Sequence, residues 1–233
     1  MGALIVGGAV ALVIWSQVGV MGAEEAPLAE VTEDASIDYD DGDAAITMAP
    51  ADGASEAGYV FYPGAKVDAA AYANRLADLV RDEGMTVVIV RPWLNLAFFD
   101  LRPLDDFTAL APDVDTWAVG GHSLGGVRSC QLAGDADALI LFASYCATDL
   151  SGSGLPVLSL SGSEDGLSTP DKIAEAADQL PSDAVFDEID GAAHASFGDY
   201  GDQPGDGEAT IPDEEMNARV EGAVAELFDG VGG

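Results

Sequence analysis

The sequence predicts an α/β fold in which a mainly parallel sheet carries helices on both faces, with no large cap domain and with a hydrophobic helix at the N-terminus. Three observations carry that expectation. Runs that are almost entirely apolar, at residues 59–62, 85–90, 117–119, 138–142 and 155–160, read as strands buried on both faces. Between them lie segments with helical period: residues 68–83 place Tyr72, Leu76, Leu79 and Val80 on one face, and residues 212–228 place Met216, Val220, Val224 and Leu227 on one stripe. Finally, Gly121-His122-Ser123-Leu124-Gly125-Gly126 follows an apolar run and precedes a segment able to continue as a helix. A strand that turns sharply into a helix presents its serine hydroxyl at the tip, and the glycines let the two backbones approach closely.

In chain order, residues 3–23 are nearly all apolar and carry no charge. As one helix they would rise about 31 Å, enough to cross a bilayer core. No basic region precedes them and no small-residue cleavage site ends them, so they read as a retained anchor with an exported domain, ahead of a removed signal peptide. Residues 24–35 are acidic, contain Pro27 and lack periodicity, which predicts a solvated linker. Alternation of Ile37 and Tyr39 before Asp41-Gly42, and of Ala44, Ile46 and Met48 after it, predicts a hairpin. Its acids miss the spacing of an EF-hand calcium loop. The buried strands and helices then follow from residue 59 onward, with further helix at 169–180 and strand at 185–189, in one domain over residues 36–230.

Composition narrows the function classes. A net charge of −34, from 42 acidic residues against 8 Lys plus Arg, repels nucleic-acid phosphates and anionic lipid heads. Because the acids are scattered along the whole chain, they predict a solvated acidic surface, similar to that of proteins from salt-accumulating halophiles. Self-repulsion then destabilises the fold when salt is removed and the Debye length grows. Two cysteines, Cys130 and Cys146, show no metal spacing and are expected as buried free thiols. With two histidines in the chain, neither a zinc site nor any other cofactor is expected.

A serine hydroxyl is a weak nucleophile until a base takes its proton and a carboxylate orients that base. In serine sites on a strand–turn–helix, the acid follows a late strand and the histidine comes last. Asp165 lies on the glycine-flanked stretch after residues 155–160, ahead of its rivals Glu164 and Asp149. His194 lies beyond the strand at 185–189, and His122, inside the elbow, is aimed away from its neighbour's hydroxyl. All these groups then fall on one edge of the sheet. The oxyanion hole needs two backbone N–H groups: Leu124, just after the nucleophile, and either Gly64 or Ala65 in Pro63-Gly64-Ala65-Lys66, since proline has no N–H.

Residues 60–68, 120–126 and 194–201, which include His194-Ala195-Ser196-Phe197-Gly198-Asp199-Tyr200-Gly201, resemble the α/β-hydrolases of the small, capless, dienelactone-hydrolase-like kind. The resemblance spans about residues 36–228. It implies the α/β-hydrolase fold and a triad of Ser123, Asp165 and His194. Where that family often carries a second glycine in the oxyanion loop, this chain has Ala65. The chemistry expected is hydrolysis of a small-molecule carboxylic ester or thioester through an acyl-enzyme. An acyltransferase, a peptidase or a membrane-anchored binding module without turnover are the alternatives. Trp93, Leu94, Leu96, Phe98 and Phe99 are candidates for an acyl pocket or for core packing. Arg91 and Lys66 are candidates for binding an anionic substrate or for pairing with surface acids.

Overall fold

The computed structural model describes residues 11–53 and 56–231. Its strands are β1 (Ile37–Asp41), β2 (Ala45–Pro50), β3 (Ala57–Tyr62), β4 (Thr86–Val90), β5 (Thr116–His122), β6 (Ala138–Phe142), β7 (Val157–Gly162) and β8 (Val185–Ile189). They form one sheet in the order β1-β2-β4-β3-β5-β6-β7-β8. The hairpin of β1 and β2 joins antiparallel to β4, and every pairing from β4 to β8 is parallel.

Side-chain alternation divides the core into two layers. Tyr59, Phe61, Val87, Ile89, Ile140 and Phe142 face one layer, which is closed by α1 (Glu25–Thr32), α2 (Ala73–Arg81) and α6 (Asp213–Val231). Val60, Tyr62, Val88, Val90, Leu139 and Leu141 face the other, closed by α3 (Asp105–Thr108) and α4 (Leu124–Leu132). Strands buried on both faces are predominantly apolar, and β7, where Ser159 and Ser161 alternate with Leu158 and Leu160, is the exception.

The strand order fixes where a site can lie. From β3 the chain crosses to β4 on one side and then returns to β5 on the other, so the loops after β3 and β5 diverge and leave a crevice at their C-terminal ends. Ser123 follows β5 and Gly64-Ala65 follows β3, which puts both at that switch point.

Three expectations need correction. Residues 25–32, expected as linker, form α1: Pro27 sits in the first turn, where its missing N–H costs no hydrogen bond, and Val31 is fully buried. Glu24 N–H donates to the Asp199 carbonyl and the carboxylate of Asp34 pairs with Arg81, contacts too distant in sequence to leave a periodic signal. The helix expected at 169–180 is shorter, α5 (Pro170–Glu175), followed by a separate turn at Ala177–Gln179. At the N-terminus, part of the expected 3–23 helix lies outside the described residues. Residues 11–17 are helical, but Met21 forms a parallel bridge with Val67 through Met21 N–H to Lys66 O and Asp68 N–H to Met21 O, both at 2.8 Å. Among the described residues no helix is long and apolar enough to cross a membrane.

Candidate active site

Ser123 sits at the tip of the turn between β5 and α4 with φ 52° and ψ −119°, a left-handed conformation that a non-glycine residue adopts only under strain. Surrounding backbone enforces it. Ser123 N–H donates to Phe142 O at 3.0 Å, and the Ser144 hydroxyl donates to Ser123 O at 2.7 Å. A Cβ at Gly121 or Gly125 would run into the Tyr62 carbonyl, so the glycine frame is what allows β3, β5 and α4 to meet here. The other non-glycine residues with positive φ, Lys66, Leu94, Asn95 and Ala143, follow β3, β4 and β6 at the same edge.

Asp165 and His194 are brought together as the sequence predicts. His194 Nδ1 lies 2.8 Å from Asp165 Oδ2, with both side chains buried. Asp165 Oδ1 accepts the N–H groups of Leu167 and Ser168, each at 2.7 Å, which fixes the carboxylate plane. With Nδ1 held by the carboxylate, Nε2 is the histidine nitrogen left for proton transfer. The rival acids do other work: Glu164 meets the Ser163 hydroxyl, and Asp149 closes a turn with Ser151.

His122 is no base. Burial first, and the neighbouring His194 second, push its pKa well below the ordinary histidine value, and its ring lies 4.4 Å from that of His194, centroid to centroid. Its Nδ1 is 2.9 Å from the Tyr72 hydroxyl oxygen, which itself accepts Gly64 N–H at 3.0 Å. The Tyr72 proton is therefore free to go to Nδ1, an arrangement that keeps His122 neutral beside the His194 imidazole.

The same contact separates the two oxyanion candidates. Gly64 N–H is committed to Tyr72, and a Cβ at Gly64 would come within 2.8 Å of His122 Nδ1. Among the described residues, Ala65 N–H and Leu124 N–H make no hydrogen bond, and Leu124 opens α4, whose dipole places partial positive charge there.

A cleft of about 170 Å³ is lined by Ser123, Leu124, Val127, Ser144, Tyr145 and Ser168. For its walls the structure selects among the alternatives left open by the sequence. Trp93, Phe98 and Phe99 are exposed and Leu96 is buried, and none of them lines the cleft. Arg91 is held in ion pairs with Asp41 and Asp68, so its guanidinium is committed to the hairpin side. Lys66 lies over the Trp15 ring, 4.7 Å from its centroid, and also lies outside the cleft wall. A larger hollow, of about 500 Å³, sits between β8 and α6 beside Val185, Phe186 and Leu227, away from every candidate catalytic group.

Two features escaped the sequence reading. Cys130 and Cys146, expected as free thiols, form a disulfide that ties α4 to the loop carrying Tyr145. Asp206 is the second. Its carboxylate accepts N–H groups from Gly166 at 3.1 Å, His194 at 3.0 Å, Ala195 at 2.8 Å and Gly207 at 2.8 Å, and so joins the acid loop to the histidine loop. The available signal was its glycine frame, Gly205-Asp206-Gly207: a Cβ at Gly207 would run into the Glu164 carbonyl, and one at Gly166 would meet Gly205 O at 2.7 Å.

A family model described as "Alpha/beta hydrolase family" matches residues 58–218, and no curated protein matches the chain. Among solved structures, the esterase domain of a Rhodothermus marinus protein is similar at a TM-score of 0.60 and 15% identity, covering 79% of this chain and 92% of its own. Thermogutta terrifontis esterase 2 phosphoramylated by tabun is similar at 0.58 and 13%, covering 84% and 95%. Est1E from Butyrivibrio proteoclasticus is similar at 0.55 and 13%, covering 83% and 99%. At these identities the likeness is one of fold.

Proposed function

The chain belongs to the alpha/beta hydrolase family, and from that premise we propose that it is a serine hydrolase cleaving carboxylic ester or thioester bonds through an acyl-enzyme. The observation that carries the proposal is the buried 2.8 Å bond between His194 Nδ1 and Asp165 Oδ2, on the same edge as the strained Ser123. The similar folds of the Rhodothermus and Thermogutta esterases favour an ester substrate over an amide.

In this reading Ser123 Oγ attacks the acyl carbon while His194 Nε2 takes the hydroxyl proton, and Asp165 stabilises the imidazolium that results. Negative charge on the former carbonyl oxygen is met by Leu124 N–H and Ala65 N–H. Collapse of the tetrahedral intermediate expels the alcohol or thiol, which leaves with the proton from Nε2. Water, deprotonated by the same nitrogen, then attacks the acyl-enzyme and frees Ser123. A cleft of about 170 Å³ suits a short acyl group.

A panel of p-nitrophenyl esters of increasing chain length, assayed in multimolar salt, tests this reading. Turnover is expected to favour short acyl chains. No turnover of any ester by folded protein leaves a non-catalytic binding module as the better account. The salt matters: with a net charge of −34, dialysis into dilute buffer is expected to abolish both activity and the near-UV circular dichroism.

A further inference from the structure

Large apolar side chains are exposed in two short segments that meet beside the oxyanion loop. One is the described end of the N-terminal segment, where Ile14 is 59% exposed, Trp15 53% and Val18 63%. The other follows β4, where Trp93 is 51% exposed, Phe98 52% and Leu101 74%. They are physically joined. Asn95 Nδ2 donates to Ser16 O at 3.1 Å, Lys66 N–H donates to Asn95 O at 2.8 Å, and the Lys66 ammonium covers the Trp15 ring. The turn at Ala97–Phe99 packs against α4, the helix that Ser123 caps. This apolar rim therefore adjoins the catalytic edge.

We propose that the rim is a bilayer-docking surface, on which the protein rests with its catalytic edge against a zwitterionic lipid membrane. Charge supports a lipid occupant. In a chain of net charge −34, residues 1–23 carry no charge at all and residues 84–99 contain no acid, while Asp100, just before Leu101, is fully buried and paired with Arg102, so the rim exposes none of the carboxylates that cover the rest. Tryptophan prefers the level of lipid headgroups, and two of the chain's three tryptophans are at the rim. Lys66, which has no carboxylate partner among the described residues, supplies a cation of the kind that reaches lipid phosphate from an apolar surface. Anionic lipids are disfavoured because the whole protein repels them.

Docking of this kind differs from tethering by the N-terminus, since it buries Trp93 as well as Trp15. Tryptophan quenching by acyl-chain-brominated phosphatidylcholine vesicles, with the full chain in multimolar salt, separates the two. Vesicles should quench the wild type, and the quenched signal should fall roughly twofold in Trp93→Phe and in Trp15→Phe while surviving in Trp117→Phe, because Trp117 lies in the core. Absence of quenching overturns the proposal. So does quenching lost in Trp15→Phe yet unchanged in Trp93→Phe, which marks a tether with the rim in water. A doubled mass in solution that returns to monomer when Trp93, Phe98 and Phe99 are replaced by Ser assigns the rim to a second copy instead. None of these readouts needs turnover, so they stand apart from the fate of the Ser123 chemistry.

Discussion

On the β7–β8 side of Ser123, the loops bearing Asp165, His194 and Asp206 are joined through two carboxylates, Asp165 buried and Asp206 half-buried, that accept backbone N–H groups. On the β3–β4 side, the segments around Trp15 and Trp93 make few such bonds and leave large apolar side chains in solvent. Charged acceptors bound by several donors hold geometry tightly, as the proton transfer proposed for Ser123 and His194 requires. Exposed apolar area contributes nothing to holding a catalytic group, and on so acidic a chain it is the surface on which the docking proposal rests. One flank has the fixed geometry that the proposed chemistry needs, and the other is the surface proposed to rest on lipid.

The largest effect that would test this contrast is expected at Asp165. Replacement Asp165→Asn keeps the shape but removes the charge that orients His194, and kcat should fall about 10⁴-fold while the fold survives. A loss under tenfold would move the orienting role elsewhere. Next comes Asp206, which touches no reacting atom. Asp206→Ala leaves N–H groups of both loops unpaired, and the resulting misplacement should lower kcat about a hundredfold with KM little changed. Asp206→Asn keeps Oδ1, the acceptor for Gly166, His194 and Gly207, and should recover most of the rate. Equal loss in both variants would point to charge rather than positioning.

The disulfide lies between the two flanks. Cys130→Ser with Cys146→Ser opens a loop with a sequence separation of 16 and should cost about 3 kcal/mol, or roughly 6–12 °C in Tm, with a smaller effect on rate. An unchanged melting curve would show that the crosslink constrains nothing. The smallest effect belongs to the rim. Trp93→Ser with Phe98→Ser and Phe99→Ser should leave turnover of a water-soluble ester within about twofold of wild type, since none of these side chains lines the cleft. A large loss there would return these residues to the acyl pocket.

The sequence made the positioning flank legible and the rim obscure, for a physical reason. Strands β3 to β7 are buried on both faces and free of acids, so they stand out against an acidic chain, and each strand end then marks where a catalytic loop can begin. The places of Ser123, Asp165 and His194 beyond strand ends followed from that order. Residues whose role depends on contacts distant in sequence did not. Asp206 is one carboxylate among many until its loop folds back onto Gly166 and His194. The short helix α1 buries Val31 alone among its fully covered side chains, too little for a periodic signal. Gly64 and Ala65 were equivalent as donors until Tyr72, eight residues on, took the Gly64 N–H. The segment at 93–99 reads as pocket or core by composition, and its exposure is set by the turns at Trp93–Asn95 and Ala97–Phe99.

Labelling with a fluorophosphonate probe in multimolar salt, followed by mass mapping of the adduct, tests the central claim about Ser123 most directly. One phosphonyl group should be found on the peptide containing Ser123, with labelling absent in Ser123→Ala and greatly slowed in His194→Ala. Folded wild type that takes no label, or a label carried on any other residue, would contradict the assignment of Ser123 as the nucleophile.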